Sequence, residues 1–393
     1  MIWLLLLIFS PTSAQIPQSN ILIGKEYKIQ SRILGEERRY VVNLPASYET
    51  DDFYIQKKYP VLILLDGDTH FHSASGIVRY MGWNEQIPEM IVVAVSNTNR
   101  TRDLTPAKSA SGIGGNNNAQ AFASGGGGDK FLRFLETELL PQIDKDHRTL
   151  PYRLLVGHSL GGLFVIDSFL NQSIFNAYLA IDPSLAWDDQ AIVKKARSIL
   201  ASSKSFKSTL YIAQANNPFN EGRSASTRGE AFQAFIADLA GNKSEGLRHS
   251  YAFFEHEDHF SVPLLSLYHG VTFIFEGYKF PLNTLAHRTA ADVRKHYEMF
   301  SRRVGVDISP PGKLLDGVAL FLLNSEKKVD QAIELLKLNR EYYPQSFVTY
   351  NSLGDAYKVK GNKEAAIINY RKSLEINPNN ENARRAIKEL TQD

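Results

Sequence analysis

Gly157-His158-Ser159-Leu160-Gly161 sets a serine between two glycines. A serine hydroxyl is a poor nucleophile near neutral pH, so a protein that uses one must expose it, supply a base and stabilise the resulting oxyanion. An expected strand, Arg153–Val156, enters the motif and an expected helix, Gly162–Asn171, leaves it. Such a strand-to-helix turn exposes the serine on a strained backbone, and side chains at Gly157 and Gly161 would collide with neighbouring chain. The helix amino terminus also favours developing negative charge. The pattern alone is weak; this context makes Ser159 the candidate nucleophile.

The base is expected on the loop after the last strand of such a fold. That loop, Phe254-Glu255-His256-Glu257-Asp258-His259-Phe260-Ser261, offers two histidines. His259 is the better placed, because Ser261-Val262-Pro263 reads as a helix start with Ser as cap and Pro in the first turn. An orienting acid is expected after the preceding strand, Thr209–Ala213, where Glu221 is the first carboxylate. Asn217 in its place, or a Ser–His pair without an acid, are alternatives. For the oxyanion, the amide of Leu160 is the first donor and the loop Asp66-Gly67-Asp68 supplies the second, placed at Asp68. The Asp68 carboxylate must then be turned away or paired, since it would oppose the developing charge.

Two clusters could bear on metal chemistry, His256 with His259 and Asp68 with His70 and His72. Neither has the His-Glu-x-x-His form, so neither metal nor cofactor is expected. The chain has no cysteine, which excludes disulfides, thiolate metal sites and a cysteine nucleophile.

The elements that must hold these residues alternate. Two antiparallel strands are expected within Gly24–Leu44, and Val61–Leu65 and Met90–Val95 are continuous apolar runs typical of parallel strands covered on both faces. Arg153–Val156, Ala177–Ile181, Thr209–Ala213 and Ser250–Phe254 follow as strands. Helices are expected over Lys130–Asp146, capped by Asp129, then Leu163–Asn171, Ala231–Leu239 and Val262–Tyr278. The Gly- and Asn-rich stretch Ser111–Asp129 lacks the Gly-Lys-Ser/Thr ending of a phosphate-binding loop and reads as a surface loop. The expected fold class is α/β, a doubly wound, mostly parallel sheet, followed by an all-α carboxy-terminal part.

Five motifs in order carry a resemblance. Leu65-Asp66-Gly67-Asp68, Asn99-Arg100-Thr101-Arg102-Asp103-Leu104-Thr105-Pro106, Gly157-His158-Ser159-Leu160-Gly161-Gly162, Asp182-Pro183-Ser184-Leu185-Ala186-Trp187 and Asp258-His259-Phe260-Ser261-Val262-Pro263 are similar to the esterase D and enterobactin-esterase branch of the α/β-hydrolases. The resemblance covers roughly Ile23 to Tyr278. It implies a carboxylic-ester hydrolase acting through an acyl-serine, with Ser159 and His259 matching the nucleophile and base. Phe260 and Ala186 depart from the Gly and Trp common in that branch, which implies a different substrate pocket. Arg100 and Arg102, after the strand Met90–Val95, are candidates to hold an anionic or catecholate-rich acyl group, against salt bridges to Asp103 and neighbouring loops. Trp187 is a candidate wall of the acyl pocket, against a buried structural role.

The carboxy-terminal part has another grammar. Ala332 and Ala366, and Pro344 and Pro378, match at a spacing of 34, and Tyr350, Leu353, Gly354, Tyr357, Ala366, Tyr370 and Pro378 fit a tetratricopeptide repeat. One good unit, one degenerate unit and a polar cap over Asn380–Leu390 fall short of the roughly three repeats that stand alone, so they are expected to dock on the hydrolase. The repeats offer a surface for a protein partner or self-association. The expected division is residues 1–14 as a signal peptide, 20–280 as the hydrolase, 281–312 as a helical linker and 313–393 as repeats. The first assignment rests on the apolar run Ile2–Phe9 followed by Pro11-Thr12-Ser13-Ala14, and implies a periplasmic or secreted protein; the run is too short to span a bilayer.

With 393 residues there is room for a large core, and 44 basic against 42 acidic residues argue against a nucleic-acid surface. A small-molecule ester is the expected substrate. Two rival readings keep the fold: an acyltransferase using the same acyl-serine, and an inactive hydrolase serving as a scaffold for the repeats.

Overall fold

The computed structural model describes residues 21–50, 57–109, 122–202, 205–216, 223–242, 245–281 and 289–392. The run Ile2–Phe9, most of the Gly- and Asn-rich stretch, and Asn217 and Glu221 lie outside the described residues.

Eight strands form one sheet: β1 (Lys25–Ser31), β2 (Glu36–Asn43), β3 (Tyr59–Leu64), β4 (Ile91–Val95), β5 (Thr149–His158), β6 (Ala177–Ile181), β7 (Ser208–Ala215) and β8 (Leu247–Phe254). Their order is β1-β2-β4-β3-β5-β6-β7-β8. The pairs β1/β2 and β2/β4 are antiparallel and the rest are parallel. The apolar runs of β3, β4 and β6 are buried on both faces, as a parallel sheet covered by helices requires. Edge strand β8 instead alternates, leaving Tyr251 and Phe253 exposed.

The connections supply α1 (Ala46–Thr50), α2 (Gly67–Trp83), α3 (Arg100–Leu104), α4 (Gly128–Phe134), α5 (Leu140–Asp146), α6 (Leu160–Leu170), α7 (Trp187–Ala201), α8 (Arg223–Gly241) and α9 (Val262–Ile274). One continuous helix was expected from Lys130 to Asp146 with Asp129 as cap. The chain there starts at Gly128 with Gly127 as cap residue, and a π-helical turn, Leu135–Leu139, separates α4 from α5. The start is displaced because the Gly127 and Gly128 amides donate to the carbonyls of Arg102 and Thr105, which leaves Asp129 inside the first turn. Side chains of alternate strand residues enter two cores: Ile63 and Leu155 pack with α4 to α8, and Leu62 and Leu154 with α2 and α9.

The second core does not stop at α9. It continues through α10 (Ala290–Val304), α11 (Gly312–Asn324), α12 (Val329–Tyr342) and α13 (Phe347–Val359), with Tyr297, Phe300, Leu315, Leu336 and Leu353 in one cluster with the sheet. Tyr278, expected inside the last hydrolase helix, lies beyond its end and meets the rings of Tyr297 and Phe300 at 5.7 and 5.4 Å. Two antiparallel hairpins, α11/α12 and α13/α14 (Lys363–Ile376), are followed by α15 (Glu381–Gln392). Ala332 and Ala366 are fully buried between helices. A Cβ at Gly354 would come within 2.5 Å of the Tyr370 ring, so the close packing of α13 on α14 needs glycine there. Among the described residues, no helix is long and apolar enough to cross a membrane.

Candidate active site

β5 delivers Ser159 at the carboxyl end of the central sheet, with φ 60° and ψ −115°, a backbone that non-glycine residues rarely adopt. The turn is forced by packing. A Cβ at Gly157 would lie 2.4 Å from the Gly161 backbone, and one at Gly162 would lie 2.9 Å from Pro183 Cα. Ser159 donates its amide to the Ile181 carbonyl at 2.9 Å and accepts from the Ser184 amide at 3.1 Å. These bonds tie the elbow to the loop after β6. The Ser159 and Ser184 hydroxyls lie 3.4 Å apart.

That loop begins with Asp182, a 5% exposed carboxylate whose Oδ1 accepts from the Ala215 amide at 3.1 Å. Its Oδ2 lies 2.6 Å from Nδ1 of His259. With Nδ1–H donating to Asp182, the Nε2 lone pair of His259 is left to accept a proton. The ring of His259 packs against His158, the residue before Ser159, at a centroid distance of 4.4 Å. Ser159, Asp182 and His259 thus come together from the ends of β5, β6 and β8.

The His259 loop is built differently from the expected helix cap. The Ser261 hydroxyl makes no cap hydrogen bond to α9; it accepts from the Asp258 amide at 3.0 Å. Asp258 in turn accepts from the amides of Phe260 and Ser261 at 2.8 and 2.9 Å, and these backbone bonds hold its carboxyl below the ordinary range. The local ring of bonds, rather than a Ser cap, fixes His259. His256, the other histidine of the loop, is exposed. Among the described residues, no group of three His, Asp or Glu side chains is arranged to hold a metal ion.

Leu160 and Asp68 stand in the first turns of α6 and α2, where amides have no acceptor within their own helix. The Asp68 carboxylate accepts from the Asn97 amide at 2.8 Å, which pairs it outside the turn. Asp66, left-handed at φ 53°, takes a two-pronged bond from Arg100 at 2.6 and 2.9 Å and a third from the Asn97 side chain at 2.8 Å. Arg100 also donates to the His158 carbonyl at 3.2 Å. One guanidinium therefore joins the loop before Asp68 to the strand end before Leu160.

The three residues expected to contact substrate have partners within the protein. Arg100 is committed to Asp66, so its fork is occupied. Arg102 is spent on Glu36, at 2.5 and 3.0 Å, and on Asp103 at 2.7 Å, beside the buried Arg38–Asp103 pair. These are the bonds that buried carboxylates require, and the Arg102 contact holds the Glu36 carboxyl below its ordinary range. Trp187 is 1% exposed, donates its indole N–H to the Ala107 carbonyl at 3.2 Å and stands edge-on to Phe122, inside the core. Glu221 lies outside the described residues, and the carboxylate found on His259 is Asp182. Chain order pointed to the loop after β7; the carboxylate at His259 Nδ1 stands at the end of β6, beside the nucleophile strand. The signal was available, since Asp182-Pro183-Ser184 is a carboxylate placed directly at a strand end.

A cleft of about 360 Å³ opens beside His259. Asp182, Ser184, Gln214, Arg228, Phe232 and Phe253 line it. The rings of His70, His158 and His259 form a row, with His70 at 5.3 Å from His158. Burial, then the charges of His259 and His70, push His158 down to about 3, so it stays neutral beside the site.

Sheet order and elbow together define an α/β-hydrolase with the geometry of a serine hydrolase. Within that class, residues 31–177 match the family described as "Putative esterase" and residues 347–380 match the tetratricopeptide repeat. The chain is an esterase-type hydrolase that is similar to that family over residues 31–177, with a tetratricopeptide match behind it. It is 29% identical over 216 residues to ferri-bacillibactin esterase BesA of Bacillus subtilis (strain 168), across 52% of this chain and 74% of that protein. An IroE-like serine hydrolase from Shewanella oneidensis superposes with a TM-score of 0.73 at 29% identity, over 81% of this chain and 99% of its own. An uncharacterised protein from Capnocytophaga ochracea shares the fold across 94% of this chain and 100% of its own, with a TM-score of 0.60 at 16% identity.

Proposed function

We propose that the chain hydrolyses carboxylic esters through an acyl-serine intermediate, with Ser159, His259 and Asp182 as its triad. The observation that carries this reading is Ser159 on a strained elbow beside a histidine whose Nδ1 is held 2.6 Å from a buried carboxylate. In the first half-reaction Nε2 of His259 takes the Ser159 proton as Oγ bonds to the ester carbonyl carbon. The amides of Leu160 and Asp68 receive the oxyanion. The ester C–O bond then breaks, and the alcohol leaves with the proton from His259. Water repeats the sequence against the acyl-serine and releases the acid. Asp182 stays ionised throughout, fixing the tautomer and stabilising the imidazolium.

The substrate class we put forward is the siderophore-type ester, on the strength of the similarity to a ferri-bacillibactin esterase. Ferri-bacillibactin is accordingly the first natural ester to assay. A fluorophosphonate probe should label the wild-type chain once, at Ser159, and leave Ser159→Ala unlabelled. Ser159→Ala should lose at least about 10⁴-fold in kcat on p-nitrophenyl esters. Full activity in that variant would overturn the mechanism.

A further inference from the structure

A second cavity, about 580 Å³, lies at the opposite end of the strands from Ser159. It opens beneath the start of β7 and β8, at Ser208 and Leu247, and is closed on its far side by the end of α10. Tyr152, which also lines it, precedes His158 by six residues on β5, roughly 20 Å of strand. The two cavities therefore share the sheet but no wall.

Four cations line this cavity: Lys207, Arg248, Arg302 and Arg303. Among the described residues one carboxylate answers them, Glu276, which accepts from Arg248 at 2.5 Å. Arg248 is further fixed by its bond to the Phe273 carbonyl at 2.7 Å and lies over the Phe273 ring. Arg303 donates to the Glu276 carbonyl. Lys207 and Arg302 have no carboxylate partner among the described residues. Burial, and then the neighbouring Arg248 charge, push the Arg303 guanidinium below its ordinary range, so the like charges are felt inside the fold.

A second observation points the same way. Tyr152 lines the same cavity, its ring against Phe275, and no described residue hydrogen-bonds its hydroxyl. It faces the charges of Arg303 and Arg248. Ser208 and Thr209 also line the cavity. Fixed guanidinium forks, an ammonium and neutral hydroxyl donors, with the charge uncancelled, are what a multiply charged oxyanion requires.

We propose that this cavity binds a phosphoryl group carrying at least two negative charges, as a soluble phosphate compound or as a lipid headgroup. Lys207 comes from the entry to β7 and Arg248 from β8, whereas Arg302 and Arg303 come from α10, the first helix of the extension. The ligand would thus bridge the two and fasten them together.

The test uses the full chain with pyrophosphate, against sodium chloride at matched ionic strength, and vesicles of phosphatidic acid, a phosphomonoester lipid, in phosphatidylcholine, against phosphatidylcholine alone. The Lys207→Gln/Arg302→Gln double variant is compared with wild type, and hydrolysis of p-nitrophenyl acetate reports its fold, since neither residue touches the catalytic end. Saturable binding of pyrophosphate with a rise in Tm, weakened about tenfold or more in the variant, supports a soluble phosphate ligand. Binding confined to the anionic vesicles, and lost in the same variant, supports a headgroup. Binding to neither, or binding undiminished in an active variant, overturns the proposal.

Discussion

The two ends of the sheet treat charge in opposite ways. At the carboxyl ends of the strands Asp66 is met by Arg100, Asp182 by His259, and Arg102 by Glu36 and Asp103. At the amino ends Lys207, Arg248, Arg302 and Arg303 face Glu276 alone among the described residues. The contrast separates two kinds of site. Ester hydrolysis creates its charge only in the transition state, so the resting site has to be internally balanced, with donors waiting where negative charge will develop. A site for a permanently charged ligand can leave its own charge uncancelled until the ligand arrives.

The sharpest way to break the balance at the catalytic end is to remove the carboxylate on His259. Asp182→Asn should lower kcat on p-nitrophenyl esters by about 10³- to 10⁴-fold, because an amide no longer selects the productive tautomer. Glu221→Gln should leave kcat within about twofold of wild type, since His259 already has its acid. Reversed effects would move the acid to the loop after β7.

A smaller loss is expected from the clamp. Arg100→Met releases Asp66 and the His158 carbonyl together, so the loops bearing Leu160 and Asp68 lose their shared anchor. We expect kcat to fall about 10- to 100-fold with KM nearly unchanged, the mark of an interaction that matters in the transition state. A rise in KM alone would return Arg100 to substrate binding.

The smallest effect is on stability. His158 is held neutral down to about 3 in the fold, whereas an unfolded histidine takes a proton near 6.5. Between those values the unfolded chain binds the extra proton, so this stabilising contribution is complete above pH 6.5 and is lost as the pH falls toward 3. His158 alone should cost the wild type about 2 kcal/mol between pH 7 and pH 5. Denaturant titrations of His158→Phe should show a correspondingly shallower pH dependence; an unchanged slope would mean that His158 is not buried as a neutral ring.

What could be read from the residues divides along physical lines. Ser159 was legible because a strand, two glycines and a helix must coincide to build an elbow, and each leaves a local trace. His259 was legible from its place before a helix start, although the bonds that hold it run through Asp258 rather than a Ser261 cap. Asp182 was visible as a carboxylate at a strand end but was not assigned, because its meeting with a residue after β8, one strand beyond its neighbour, depends on sheet order. Arg100, Arg102 and Trp187 were visible as side chains capable of binding, but only the fold shows that carboxylates and core packing have already claimed them. The repeat matches showed the hairpins, whereas the shared core beneath them depends on how α10 to α13 meet the sheet.

That shared core has a mechanical consequence. Because Tyr278 is wedged against Tyr297 and Phe300, and the same cluster runs on to Leu353, the extension is joined to the sheet by a continuous apolar weld. A partner gripped by the repeats would be carried at a fixed bearing from the ester cleft, like a tool in a bracket and unlike cargo on a tether.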